Sequence, residues 1–183
     1  MTIDAPGGSG GTTSAAVGTA RTGAKWIVFV AIAALVVVLD QASKAWLAAS
    51  VSPGQVVHVA GDLVRLVFSQ NSGALFGFFR DNAVLFGIVS LAVVGMILLY
   101  HGRSGRSLYL SISLGLLLGG ALGNMADRLR LGYVIDWVDI GVGDLRWYTF
   151  NVADAAISIA IVMIVLAALF PTLSERIDRR SDG

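Results

Sequence analysis

Asp127, Asp136, Asp139, Asp144 and Asp154 all fall between residues 123 and 154, in the stretch GNMADRLRLGYVIDWVDIGVGDLRWYTFNVAD. That stretch lies between two apolar runs, where carboxylates are expensive to place and are functional by default. Two carboxyls that face each other and share a proton, one acting as base and one as acid, can activate water without a metal or a covalent nucleophile. Other apparatus is scarce. The chain contains no cysteine, which excludes disulfides, thiol nucleophiles and Cys-ligated metals. Its histidines, His58 and His101, are far apart and lack metal-ligand spacing, so no metal and no cofactor is expected.

The acidic residues differ in their surroundings. Asp136 sits in YVIDWV among apolar and aromatic neighbours with no adjacent base, where burial would raise its pKa. Asp154 follows Asn151 by three. With Asn151 as N-cap, Asp154 is the third helical residue, a position that the helix dipole already explains structurally. Co-location tips the reading: Asp136 and Asp154 come from an outer loop and an outer helix end at one membrane depth. Asp127, next to Arg128, reads as a charge network fixing the end of a helix, and it stays open as an alternative partner for Asp154. Asp40 and Lys44 share a face at i,i+4. Lys44 reads as half of a structural ion pair, and Asp40 is open between that role and a functional one. The residues Asn71-Ser72-Gly73 read as a turn, the alternative being an Asn whose amide holds a substrate backbone. GVGD at residues 141–144 imitates a presenilin-type GxGD motif, but it falls between short outer segments and reads as a turn.

Four apolar segments must position these groups: residues 26–49, 83–100, 108–126 and 152–170. Each is close to the ~20 residues that a helix needs to cross a bilayer. The chain has 183 residues, 56% of them hydrophobic and only 14% charged, with mean hydropathy +0.78. A soluble domain usually has about a quarter of its residues charged, so the composition indicates a polytopic membrane protein. A net charge of +1 without a dense basic stretch gives no sign of nucleic-acid binding. Gly115, Gly119 and Gly123 form a small-residue stripe for close helix packing. Residues 1–24, rich in Gly, Ser, Thr and Ala, are expected to be a disordered cytoplasmic tail, residues 25–171 the membrane domain, and residues 172–183 a cytoplasmic C-terminal tail. Arg21, Lys25, Arg103, Arg106, Arg176, Arg179 and Arg180 mark one side as cytoplasmic, which puts both termini inside. The loops 50–82 and 127–151 then face outward. Each is expected to form two short strands, with turns at Gly61-Asp62 and at residues 141–144. Phe68, Trp137, Trp147, Tyr148 and Phe150 suit the headgroup level.

Five motifs in order, LDQASK (39–44), NSGALFGF (71–78), GGALGNMADR (119–128), GYVIDW (132–137) and FNVADA (150–155), resemble the bacterial lipoprotein signal peptidases, the signal peptidase II family. The resemblance covers roughly residues 26–170. It implies an all-α membrane protein of four transmembrane helices with a small extracytoplasmic β-cradle and an interfacial helix, lying in the bacterial cell membrane. It implies an aspartyl endopeptidase that cuts lipid-modified prolipoproteins on the amino side of the diacylglyceryl cysteine. Its catalytic aspartates match Asp136 and Asp154. Its supporting residues match Asp40, Lys44, Asn71, Gly73, Asn124, Asp127, Arg128, Asn151 and Ala153. Globomycin-type inhibitors are expected between the two aspartates. Trp137 stands where Phe is common in the family, and the N-terminal tail is longer than usual.

Two other classes compete. A proton-coupled carrier would string carboxylates along a path through the membrane, yet the inner halves of the four segments carry no acidic residue. A membrane scaffold docking through its glycine stripe leaves the outer carboxylates without a purpose.

Overall fold

The computed structural model describes residues 11–72, 83–104 and 107–182. In chain order these form α1 (Gly11–Ser50), β1 (Val56–Ala60), β2 (Val64–Asn71), α2 (Ala83–Ser104), α3 (Leu108–Leu131), β3 (Val134–Val142), β4 (Leu145–Arg146), α4 (Val152–Leu169) and α5 (Pro171–Asp182). Among the described residues, three helices are long and apolar enough to cross a membrane: Gly23–Ser50 within α1, Leu108–Leu131 and Val152–Leu169. The apolar stretch described in α2, Leu91–Arg103, is shorter. Ile27, Val30, Leu35 and Val38 of α1 and Ile159, Ile161, Val162 and Val165 of α4 are exposed, as side chains facing hydrocarbon would be.

The expected tail at residues 1–24 is corrected from residue 11 on, because α1 begins at Gly11 and crosses the boundary drawn at 24/25. Nucleating a helix is its costly step. An apolar span that is already helical propagates into its flank one hydrogen bond at a time. Residues 1–10 lie outside the described part, as do Gly73 and the segment 74–79 expected to be interfacial. The C-terminal segment is also helical. Pro171 cannot continue α4, and the residue before a proline is driven out of the helical region; Phe170 accordingly sits at φ −130°, ψ 72°. Beyond it α5 folds back, and Asp178 Oδ1 accepts from Leu108 N (2.8 Å) and Tyr109 N (3.2 Å) at the start of α3.

Helix α3 is central and packs against α1, α2, α4 and α5. Its glycine stripe explains how α1 comes so near. A Cβ at Gly119 would lie 2.6 Å from Val36 Cβ and 2.7 Å from the Ala33 carbonyl, so only glycine admits that backbone. Around this contact Phe29, Ala33, Ile97, Leu114 and Leu118 form the inner core.

Outside the bundle lies an antiparallel sheet in the order β1-β2-β3-β4. The expected turns are present between β1 and β2 and between β3 and β4. One face of the sheet, with Ile135, Tyr133, Trp137, Leu66 and Phe68, packs on Leu47 and Val51 at the end of α1. Trp137 and Phe68 therefore fill a core, where the headgroup level was expected for them, while Trp147 and Tyr148 are exposed. The far end of the sheet is latched by charge. Asp139 accepts from Arg65 Nη2 (2.8 Å) and Arg146 Nε (2.7 Å). Burial pushes Asp139 up, but Arg146 and Arg65 outweigh it and hold the carboxyl below its ordinary value.

Candidate functional site

The site forms where β3 meets the start of α4, and backbone pairing makes that meeting. Phe150 O accepts from Trp137 N (3.0 Å) and Val138 N (2.8 Å), and Phe150 N donates to Val138 O (3.1 Å). This bridge places Asn151 and the first turn of α4 beside Asp136. Asn151 is the N-cap expected of it. Its Oδ1 accepts from Asp154 N (2.9 Å), and Asp154 Oδ2 accepts from Asn151 N (3.2 Å), a reciprocal capping box.

Asp136 is buried at 3% exposure, on the sheet face opposite to the Trp137 cluster. Its Oδ1 accepts from Asn151 Nδ2 (2.7 Å) and its Oδ2 from Asn71 Nδ2 (3.0 Å). Asn71 reaches it because Ser69 is opposite Asp136 in the β2–β3 register, which makes Asn71 its diagonal neighbour. Asn71 thus ends a strand, where the residues alone had read as a turn. Asp154 Oδ1 accepts from Asn124 Nδ2 (2.7 Å). Asn151 therefore touches both carboxyls, Asp136 through its amide and Asp154 through its backbone N–H.

Burial, with the nearby Asp154 charge adding to it, pushes Asp136 up to about 6, against the lowering effect of Asn71, Asn151 and the Lys44 charge. Asp154 likewise has a donor on each oxygen, but it is only half-buried and stands at the positive end of a helix. Two carboxyls so differently placed can divide the roles of acid and base.

Three of the remaining residues form a buried ionic core beneath this pair. Lys44 Nζ lies 2.8 Å from Asp40 Oδ2 and 2.8 Å from Asp127 Oδ2, and it donates to Asn124 Oδ1 (3.1 Å). Asp40 Oδ1 accepts from Ala153 N (3.0 Å), and Asp127 Oδ2 from Ile135 N (3.2 Å). Asp127 thus pairs across helices with Lys44 and fixes the sheet to α3. Gly123 is required here, since a Cβ would lie 2.6 Å from Asp40 Oδ2. Arg128, which feels the charges of Asp154, Asp136 and Asp127, donates to Asn124 O (3.3 Å). Asp144 lies apart, in the exposed β3–β4 turn. His101 also lies apart, stacked on Phe29 at 4.1 Å. Among the described residues no group of His, Cys, Asp or Glu has metal-site spacing.

Gln41 was missed. It stands inside the LDQASK motif and carries no charge, so neither spacing nor residue type drew attention to it. Its amide nevertheless bridges Asp40, Asp127 and Gly123.

Comparison with known proteins bears on this arrangement. The sequence profile of the family described as signal peptidase (SPase) II matches residues 32–170. A lipoprotein signal peptidase of Syntrophomonas wolfei is 40% identical over 143 residues, covering 78% of this chain and 93% of the relative. One of Pseudomonas fluorescens is 40% identical over 139 residues, 72% of this chain and 81% of the relative. Among solved structures, a bacterial membrane enzyme determined by the in meso method at 2.3 Å superposes with a TM-score of 0.71 at 27% identity, over 79% of this chain and 88% of the other. A second, determined at 1.9 Å, gives a TM-score of 0.69 at 27% identity.

Proposed function

This chain belongs to the signal peptidase II family, and on that premise we propose that Asp136 and Asp154 are its catalytic dyad. The chain is a membrane peptidase that removes signal peptides from prolipoproteins. The observation that carries the dyad is Asn151, whose side chain holds Asp136 at 2.7 Å while its backbone N–H holds Asp154 at 3.2 Å.

In this reading Asp154 begins ionised and Asp136 protonated. Asp154 takes a proton from a water as its oxygen bonds to the scissile carbonyl carbon, and Asp136 gives its proton to the carbonyl oxygen. The tetrahedral diol then collapses. The C–N bond breaks, the nitrogen leaves with a proton relayed by Asp154, and Asp136 recovers its proton from the diol. Asn71, Asn124 and Asn151 hold the carboxyls, while Lys44, Asp40, Asp127, Arg128 and Ala153 hold the elements that bear them. Gly73 belongs to the same set by motif. Globomycin-type inhibitors would occupy the space between the dyad carboxyls.

The same reading includes four spans, with α2 as the fourth, and both termini in the cytoplasm. Exposed Arg103, Arg176 and Arg179 support it, since α5 is tied by Asp178 to the start of α3, the end opposite to the sheet. The dyad then lies near the extracytoplasmic surface, where a lipid-bearing cysteine would be presented.

The test uses purified enzyme in detergent and a prolipoprotein with or without the diacylglyceryl group. The lipidated substrate should be cut to a product that begins at the modified cysteine, and the unmodified one left intact. The folded double variant Asp136→Asn/Asp154→Asn should leave both uncut. Equal cutting of both substrates, or cutting by the double variant, contradicts the proposal.

A further inference from the structure

Each proposed catalytic aspartate is preceded by a residue whose amide is held by a second, non-catalytic carboxylate. Ile135 N, just before Asp136, donates to Asp127 Oδ2 at 3.2 Å. Ala153 N, just before Asp154, donates to Asp40 Oδ1 at 3.0 Å. The distance between the two dyad-bearing backbones is therefore linked to the distance between Asp127 and Asp40. Those two carry like charge, are 2% and 0% exposed, and lean on one ammonium, Lys44, at 2.8 Å from each. One cation between two buried anions leaves one negative charge uncompensated, and a buried anion calls for further hydrogen-bond donation.

Gln41 supplies it. Its Nε2 donates to Asp127 Oδ1 (2.9 Å), to Asp40 Oδ2 (3.1 Å) and to Gly123 O (3.2 Å). These three acceptors share the two N–H donors of one NH₂ group, and all three lie on its nitrogen side. The oxygen side is engaged separately, because Oε1 accepts from Arg130 Nη1 at 3.0 Å. A guanidinium can only donate, so Arg130 fixes which end of the amide turns inward. A reversed amide would set its oxygen against two carboxylates.

We propose that Gln41, locked by Arg130, is a positioning residue that joins Asp40 to Asp127 and thereby sets the separation of Asp136 and Asp154. The inference rests on the dyad reading above. It makes a particular claim about pH. A pair of interacting carboxyls titrates in two steps that belong to the pair, and the gap between the steps shrinks as the carboxyls move apart. The charged groups around the pair are Lys44 and Asp40 from α1, with Asp127 and Arg128 from α3. Substitution of Gln41 changes none of these charges.

The experiment is the pH dependence of kcat/KM for parent, Gln41→Leu, Arg130→Met and Arg130→Lys. In Gln41→Leu the bell should narrow and its maximum fall on the order of 100-fold, the effect of misplacing reacting groups by about 1 Å. KM should stay near the parental value. Arg130→Met, at an exposed position, should narrow the bell in the same sense with a smaller loss, and Arg130→Lys should restore it. If Gln41→Leu does not fold, the two Arg130 variants carry the test alone. A bell merely scaled down at unchanged width, or full activity in folded Gln41→Leu, overturns the inference and leaves the dyad standing. If folded Asp136→Asn and Asp154→Asn retain activity, the dyad reading falls, and this inference falls with it.

Discussion

Asp136 is held partly protonated near neutrality by its burial and by its neighbour Asp154, at a midpoint of about 6. That has a consequence for stability with a definite sign. The folded value is raised above the ordinary 3.8, so the fold binds a proton more tightly than the unfolded chain does. The stabilisation is complete below about pH 4 and is lost as pH rises through 6, amounting to about 3 kcal/mol for a shift of about two units. Asp139 is shifted the other way and would act only in acid, below its ordinary range. Between pH 5 and 8 the parent should therefore lose thermal stability as pH rises, while Asp136→Asn should show a flatter profile. Unfolding in detergent across that range checks it, and parallel profiles would contradict the assigned environment. Trp137 offers a second residue-level test. Its indole nitrogen is buried without a hydrogen-bond partner, and an unsatisfied buried donor costs about 1–3 kcal/mol. Trp137→Phe should leave stability unchanged or raise it by about 1 kcal/mol, measured as a shift in the unfolding midpoint. A loss of several degrees would show that the ring's volume matters more than its N–H.

At the scale of elements, the contact between α1 and α3 carries the site. Gly119 faces Val36, and Gly123 faces the Asp40 carboxylate. Overpacking such a contact costs about 1–3 kcal/mol, but the two positions should respond differently. Gly119→Ala should lower the unfolding midpoint with little change in the kcat of the folded fraction. Gly123→Ala should lower kcat as well, since it displaces Asp40 and, through Ala153, the start of α4. Equal kcat losses in the two variants would refute this division. The three described helices long and apolar enough to cross a membrane were legible in the sequence because about twenty apolar residues announce a helix with little ambiguity. The cap at Asn151 was legible because N-cap and N3 are local in the chain. The strand end at Asn71 was not, since its partner Asp136 is 65 positions away and only the β2–β3 register brings them together. Gln41 was hidden for the same reason: its bonds to Asp127 and Arg130 span 86 and 89 positions. The helical extension to Gly11 and the return of α5 escaped notice because composition alone does not reveal propagation from a neighbouring helix or a carboxylate docking at a distant helix start.

For the whole molecule, the distribution of polarity is the organising fact. The apolar faces of α1 and α4 are exposed, and the buried Asp40, Lys44 and Asp127 lie together near Asp136 of the sheet. Such an arrangement suits a reaction at a membrane surface, where water can reach a bond that lipid holds in place. Asp127 is the residue that the chain alone could not separate from Asp136 as the partner of Asp154, and its contacts with Lys44, Gln41 and Ile135 are those of a strut. The decisive measurement is the single-turnover rate of prolipoprotein cleavage by Asp136→Asn, Asp154→Asn and Asp127→Asn, each checked for folding by thermal unfolding in detergent. The account predicts that the first two fold and lose at least 100- to 10,000-fold, the range for removing an acid or base. Asp127→Asn should lose stability or keep part of its activity. Normal cleavage by Asp136→Asn, with a folded and inactive Asp127→Asn, would make Asp127 the partner of Asp154 and contradict the account.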